Sequence, residues 1–277
     1  MTKFKIRSVT RTWVLLSLVV AGSIGVLAGL VYMVAVTLFG SGTDVSPAQA
    51  KSSPSSTSST APAGTSAQDP IALRKKEDAL ATKPMVQLLP SAAQPQPLVT
   101  TTAGPPIILP EATVLTELVP TGFPRTPQGA VAQLAMIDEA ALRNLSRQQV
   151  ELVYGWAVMP GAVSQQTWNM STGFDTALAR AGLTDSASAL QLSYTVTGAQ
   201  VKGTLDGGDF VVACVLGEID GNYRNSTRFG AGDCQRMVWS AGRWRIGPGP
   251  QPAFAPSAWP GSADSVRAGW REAQQHD

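Results

Sequence analysis

Residues Trp13 to Phe39 form an uncharged run of 27 residues, preceded by Lys3, Lys5, Arg7 and Arg11 and followed by Gly40-Ser41-Gly42. A helix needs roughly 20 apolar residues to cross a bilayer core, so the run predicts one tilted transmembrane span over 13–39. These four basic residues stand on its N-terminal side with no acid among them, and the first charge after it is Asp44. The positive-inside rule therefore assigns residues 1–12 to the cytoplasm as a basic tail and places everything from Gly40 onward on the other side of the cell membrane. Ala48-Gln49-Ala50 has the small-residue form of a signal-peptide cleavage site. An ordinary signal core is about 7 to 15 residues, however, and this run is nearly twice that, so the expectation is an uncleaved, single-pass anchor. Gly25 and Gly29 lie one turn apart and could let two spans approach closely, although glycine is common in membrane helices for other reasons.

The formal net charge is +2, from 21 basic and 19 acidic residues, and setting aside the four N-terminal basic residues leaves 17 against 19. A near-neutral exported part has no electrostatic footprint for nucleic acid, which is not expected as a partner. The single histidine, His276, stands next to the last residue, so no imidazole-based catalytic or metal site is expected. The two cysteines, Cys214 and Cys234, fall in the exported part, where oxidation is permitted. Each lies in an inferred strand, 209–216 and 234–240, and if these strands face each other a structural disulfide would close a loop of about 20 residues. Two buried free thiols are the alternative, and the spacing fits neither a zinc knuckle nor a Cys-x-x-Cys redox pair.

Residues 40–106 are dense in Ser, Thr, Pro, Ala and Gln and read as a disordered linker, because such a segment buries too little apolar surface to offset its chain entropy. Within it only Ile71 to Leu80 has helical composition, expected to fluctuate in solvent or to order on a partner. Residues 107–277 are expected to hold the folded domain. Thr126-Pro127 reads as an N-cap and first helical residue, with Val131, Leu134, Ala135 and Leu142 as the apolar stripe. Ser146 and Gln149 form a capping box, with a staple from Leu145 to Val150, opening a second helix that packs Val150, Leu152, Val153 and Trp156. A third helix is expected from Ser164 to Ala181, using Trp168, Phe174 and Leu178 and ending at Gly182. Beyond it the pattern alternates through Leu190 to Val196, Phe210 to Leu216, Met237 to Trp239 and Trp244 to Ile246, with Ala241-Gly242 as a hairpin turn. The fold class is thus α+β: three helices packed on a curved antiparallel sheet of about four strands.

That arrangement resembles the cone-shaped fold of nuclear transport factor two, and with the single span it resembles the bitopic scaffold proteins of type IV secretion and conjugation machines. Gly122-Phe-Pro-Arg-Thr-Pro-Gln-Gly-Ala-Val-Ala-Gln-Leu134 and Ser257-Ala-Trp-Pro-Gly-Ser-Ala-Asp-Ser-Val-Arg-Ala-Gly-Trp270 resemble segments of uncharacterised actinobacterial membrane proteins associated with mobile elements. The resemblance implies a non-catalytic subunit that joins a transfer or secretion apparatus to the envelope and self-associates. It supplies no catalytic motif to carry over.

Asp206, Asp209, Glu218 and Asp220 raise the question of paired carboxylates, but Asp206-Gly207-Gly208-Asp209 and Asp220-Gly221-Asn222 read more simply as turns. Trp156, Trp168, Trp239 and Trp244 would line an apolar pocket or, more simply, fill a core. Asn144, Asn169 and Asn225 open glycan-acceptor tripeptides, with nothing to indicate a glycosylating host. The C-terminal segment, rich in proline from Pro248 to Pro260, offers Phe254, Trp259 and Trp270 as anchors for a partner; an intramolecular strap over the domain's own sheet is the alternative. The expectation is a membrane scaffold acting through other envelope proteins or its own copies, with no catalytic residue, cofactor or metal. The second expectation is a tethered module that binds a lipid or other small apolar ligand.

Overall fold

The computed structural model describes residues 69–143, 146–181, 191–223 and 225–275, all within the compact unit Gly64–Asp277. The expected tail, span, cleavage-like site and first part of the linker lie outside the described residues, as do Asn144, Leu145, Gly182 and His276. Among the described residues no helix is long and apolar enough to cross a membrane.

Local chemistry sets the helix starts. α1, Pro70–Thr82, opens on Asp69, whose Oδ1 accepts from Ile71 N at 2.9 Å, with Pro70 as first helical residue. α2, Pro127–Leu142, opens on Thr126, whose hydroxyl accepts from Gly129 N at 3.1 Å. α3, Arg147–Ala157, opens on Ser146, which accepts from Gln149 N at 3.0 Å. The capping box is only half made, because Gln149 Nε2 donates to Ala140 O at 2.9 Å and ties α3 to α2 instead. The third expected helix is interrupted. A 3-10 turn, Gln165–Thr167, is followed by Trp168 with ψ 133°, and only then by α4, Asn169–Ala181. A further 3-10 turn spans Pro90–Ala93 and a short helix, α5, spans Ala263–Arg267.

The sheet has six strands: β1 Ile107–Leu109, β2 Gln191–Leu205, β3 Phe210–Tyr223, β4 Asn225–Ser240, β5 Arg243–Ile246 and β6 Arg271–Gln275. Their order is β1-β6-β2-β3-β4-β5. This corrects the expectation of about four antiparallel strands, since β1 and β6 are added at one edge and pair in parallel with each other. Neither carries a legible strand pattern: β1 is three residues long and β6 reads Arg-Glu-Ala-Gln-Gln. The long β2 shifts register between Val196 and Gly198 and again between Val201 and Gly203, irregularities of the kind that curl a sheet. Ala241 and Gly242 have φ of 51° and 79°, the positive pair of a type I′ hairpin, so that expectation holds. The turn expected at Asp220-Gly221-Asn222 does not form. Gly221 pairs with both Leu192 and Thr227, and the chain reverses only beyond Tyr223, because ladder pairing on two sides outweighs a local turn preference.

One face of the sheet, through Val211, Ala213, Val215 and Met237, packs against Val131, Leu134 and Ile137 of α2, Val150 and Val153 of α3 and Phe174 and Leu178 of α4. Leu152, expected in this core, instead stands 52 % exposed. The opposite face presents Phe210, Val212, Cys214 and Leu216, and it is also buried. Residues 80–92 and 253–270 cover it with Leu80, Ala81, Met85, Leu88, Ala255, Ala258 and Trp270. The linker reading is therefore corrected for residues 69–106, of which a large part is built onto the domain as an outer layer. This part carries more apolar residues than the Ser/Thr/Pro stretch before it, and Leu80, Met85 and Leu88 find their complementary surface on the sheet. The uninterrupted run Phe210-Val-Val-Ala-Cys-Val-Leu216 is the sequence mark of a strand buried on both faces.

Candidate functional site

The proline-rich strap runs over the outer face and is stitched to it. Ala253 N donates to Ala81 O at 3.0 Å, Trp259 N to Ala92 O at 2.7 Å and Trp270 Nε1 to Pro256 O at 2.9 Å. The Arg228 guanidinium stands 5.1 Å from the Trp259 ring centroid. Two glycines of β4 allow the close approach. A Cβ on Gly230 would overlap the Ala258 carbonyl oxygen, and one on Gly232 would meet Ala255, Pro256 and Trp270 at 3.0–3.1 Å. Of the three candidate anchors, Trp259 and Trp270 are buried in this packing, so they serve the chain's own fold, whereas Phe254 is 73 % exposed.

Under the strap Cys214 and Cys234 occupy directly opposed positions of β3 and β4, 4.1 Å apart at Cα, and form a disulfide. Met85 Sδ lies 3.6 Å from Cys234 Sγ and roofs it. Beside them Arg236, with 2 % side-chain exposure, pairs with Asp78 at 2.8 Å and Glu77 at 3.6 Å, its guanidinium 5.1 Å from the Phe210 ring centroid. Lys202 Nζ donates to Ala81 O at 2.7 Å, and burial holds its proton affinity below the usual lysine value. These contacts fix α1 against the sheet. The outer layer also carries large apolar side chains in solvent: Ile71, Val86, Leu89, Leu98 and Val99 join Phe254 there.

The four carboxylates singled out from the sequence do not form one cluster, although Glu218 and Asp220 share a single guanidinium. Asp209 pairs with Arg125, Glu218 and Asp220 pair with Arg228, and Asp206 begins the 3-10 turn between β2 and β3. A different acidic group lies inside, between α2 and the sheet. Asp138 is fully buried, and neither carboxylate oxygen has a hydrogen-bond partner among the described residues. Burial raises its pKa well above the usual carboxylate value, and the nearby charges of Asp233 and Glu139 raise it further. Asp233, also buried, is raised by burial and partly relieved by Asn169 Nδ2 at 2.7 Å and Gln235 Nε2 at 2.8 Å. The Tyr194 hydroxyl is buried in the same field, without a hydrogen-bond partner among the described residues. Asp138 could have been noticed in the sequence, because it stands one turn after Leu134 on an otherwise apolar helix face. Neither cavity described below reaches this group. Among the described residues no set of three or more His, Cys, Asp or Glu side chains is placed to hold a metal.

The four tryptophans divide. Trp168 and Trp244 are fully buried, while Trp156 and Trp239 are partly buried against the same core. Trp244 Nε1 donates to Pro124 O at 2.9 Å, and its ring meets Trp239 edge-on at 5.4 Å. They fill the space between helices and sheet. A small cavity of about 50 Å³ remains beside Leu109, Phe123 and Met136, and a larger one of about 170 Å³ opens between α3 and α4. Comparison with protein-family models, with curated proteins and with solved structures finds no match.

Proposed function

We propose that this chain is a non-catalytic, membrane-anchored scaffold whose exported domain joins a transfer or secretion assembly through protein contacts. The observation that carries the reading is the outer layer. Six of its large apolar side chains, with Phe254, Leu89 and Leu98 foremost, face solvent. A layer fixed by Arg236, Lys202 and the strap presents those groups from a rigid base, which lowers the entropy lost on association. The uncharged run 13–39 would hold that surface within reach of the bilayer, and the residues from Gly40 to the start of α1 would set the distance. The filled interior supports assembly over apolar ligand capture, since Trp168, Trp244 and Phe174 occupy the room a lipid tail would need.

The test is site-specific photo-crosslinking in intact cells, with the probe at Phe254 and, as a control on the opposite layer, at Leu152. Protein adducts from Phe254 and none from Leu152 are expected, with self-adducts and adducts to other envelope proteins separated by mass spectrometry. A probe at Phe254 that yields only lipid, or no adduct at all, would overturn the reading in favour of a tethered lipid-binding module or a surface with no partner.

A further inference from the structure

The disulfide under the outer layer is shielded unevenly. Cys214 is 0 % and Cys234 1 % exposed, and their cover comes from two stretches of chain. The strap supplies Ala255, Ala258 and Trp270. It is tied down by the hydrogen bonds already described and by Gly232 N, which donates to Ser257 Oγ at 3.2 Å. The other stretch supplies Met85 and Leu88. Among the described residues, 84–91 make no hydrogen bond to the sheet or the strap. Gln87 Nε2 donates to Met85 O at 3.2 Å and Ala92 N to Leu89 O at 2.9 Å, so these bonds stay within 85–92. Pro84, Val86, Gln87 and Leu89 are exposed, and Met85 and Leu88 are partly so. Two apolar side chains thus hold the stretch to the sheet, and a segment with few buried contacts opens at low free-energy cost. Met85 stands on the bridge itself, its Sδ 3.6 Å from Cys234 Sγ.

We infer that Met85 is an oxidation-controlled latch on the disulfide: a hydroperoxide converts its thioether to the sulfoxide, the stretch lifts, and Cys234 Sγ opens to attack by a thiol. In the first step the thioether sulfur takes one oxygen atom from hydrogen peroxide, and water leaves. The sulfoxide is polar, and the apolar cluster beneath it has no donor to spare, since Trp270 Nε1 is already given to Pro256 O. The oxidised side chain therefore stays in water, and the latch stands open. In the second step one thiolate of a dithiol attacks Cys234 Sγ, the S–S bond breaks and Cys214 leaves as a thiolate. The second thiol of the same molecule then displaces the first, so that both cysteines are reduced and the dithiol is oxidised to its disulfide. With Met85 unoxidised the same reductant meets a covered bridge. The latch is independent of the scaffold reading.

The test treats the purified full-length chain with hydrogen peroxide under native conditions and maps sulfoxides by peptide mass spectrometry. Reduction by dithiothreitol is then followed through maleimide labelling of the freed thiols. Sulfoxide at Met85 is expected, with reduction of the disulfide about tenfold faster than in untreated protein. Met85→Leu keeps an apolar cover without the thioether and should be reduced slowly with or without peroxide. Met85→Gln places a polar group over the bridge and should be reduced fast with no peroxide at all. The leucine variant separates the latch from oxidation at Met136, Met159 or Met170, which are also partly exposed. A Met85 thioether left intact by peroxide that oxidises those three would overturn the latch. So would a reduction rate unmoved by the sulfoxide, or an equal peroxide response in Met85→Leu.

Discussion

Arg236 of β4 pairs with Asp78 of α1 at 2.8 Å, the arginine 2 % exposed and the aspartate 38 % exposed at the side chain, so a buried cation on the sheet fastens a half-wet helix. Burial lowers the guanidinium's proton affinity, opposed first by Asp78 and then by Glu77. Removing Asp78 leaves the cation with only the more distant Glu77. Asp78→Ala is expected to cost about 2 kcal/mol, below the 3–5 kcal/mol of fully buried pairs because Asp78 is partly solvated. Chemical denaturation measures the loss, and hydrogen exchange should show it concentrated in α1.

The strap depends on the missing side chain at Gly230. Gly230→Ala places a methyl group on the Ala258 carbonyl oxygen, and the neighbour there is backbone, so the strap must lift. The expected cost is roughly 1–3 kcal/mol, the range of overpacked sites. Limited trypsin digestion should report it as faster cleavage after Arg267, and an unchanged digestion pattern would count against the close packing.

The disulfide closes a loop with a sequence separation of 20, which in the chain-entropy view corresponds to about 3 kcal/mol. Reduction, or the double change Cys214→Ala and Cys234→Ala, should lower stability by up to that amount, because the flanking β3–β4 ladder already holds the strands in register. Denaturation with and without reductant measures it. Thiol counting on protein taken directly from cells should find neither cysteine free.

Asp138 sets the sign of the pH response. Its folded pKa is raised well above 3.8, chiefly by burial, so at intermediate pH the folded state binds more protons than the unfolded one. Its contribution is fully present below the unfolded pKa and is lost as pH rises through the folded value; Asp233 and Glu139, also raised, act in the same direction. Denaturant midpoints should therefore fall as pH climbs from the mildly acidic range. Asp138→Asn should flatten that slope and raise stability at neutral pH by removing a buried charge that nothing pairs. A wild-type midpoint that rises over the same range would refute the assignment.

Much of the architecture is written in local sequence. Thr126, Ser146 and the Ala241-Gly242 step act within a turn of chain, through side-chain caps and positive backbone angles, so the starts of α2 and α3 and the β4–β5 hairpin follow from residues read in order. Cys214 and Cys234 were legible as a pair because each sits in a strand and the two strands are near neighbours in the chain. What the tertiary structure alone decided depends on partners far away in sequence. β1 and β6 are too short and too polar to declare themselves, and they become strands only because each finds the other and the edge of β2. Residues 69–106 read as linker from their Pro, Ala and Gln, yet part of that segment is ordered against the outer face because β3 is apolar on both sides and the second side needs a cover. Trp259 and Trp270 read equally well as exposed anchors or as packing, and Gly230 and Gly232 settle the matter by letting the strap close on the sheet. The covered disulfide and the buried Asp138 belong to the same class: burial is a property of the assembled fold, and a single chain of letters carries no record of which polar group will lose its water.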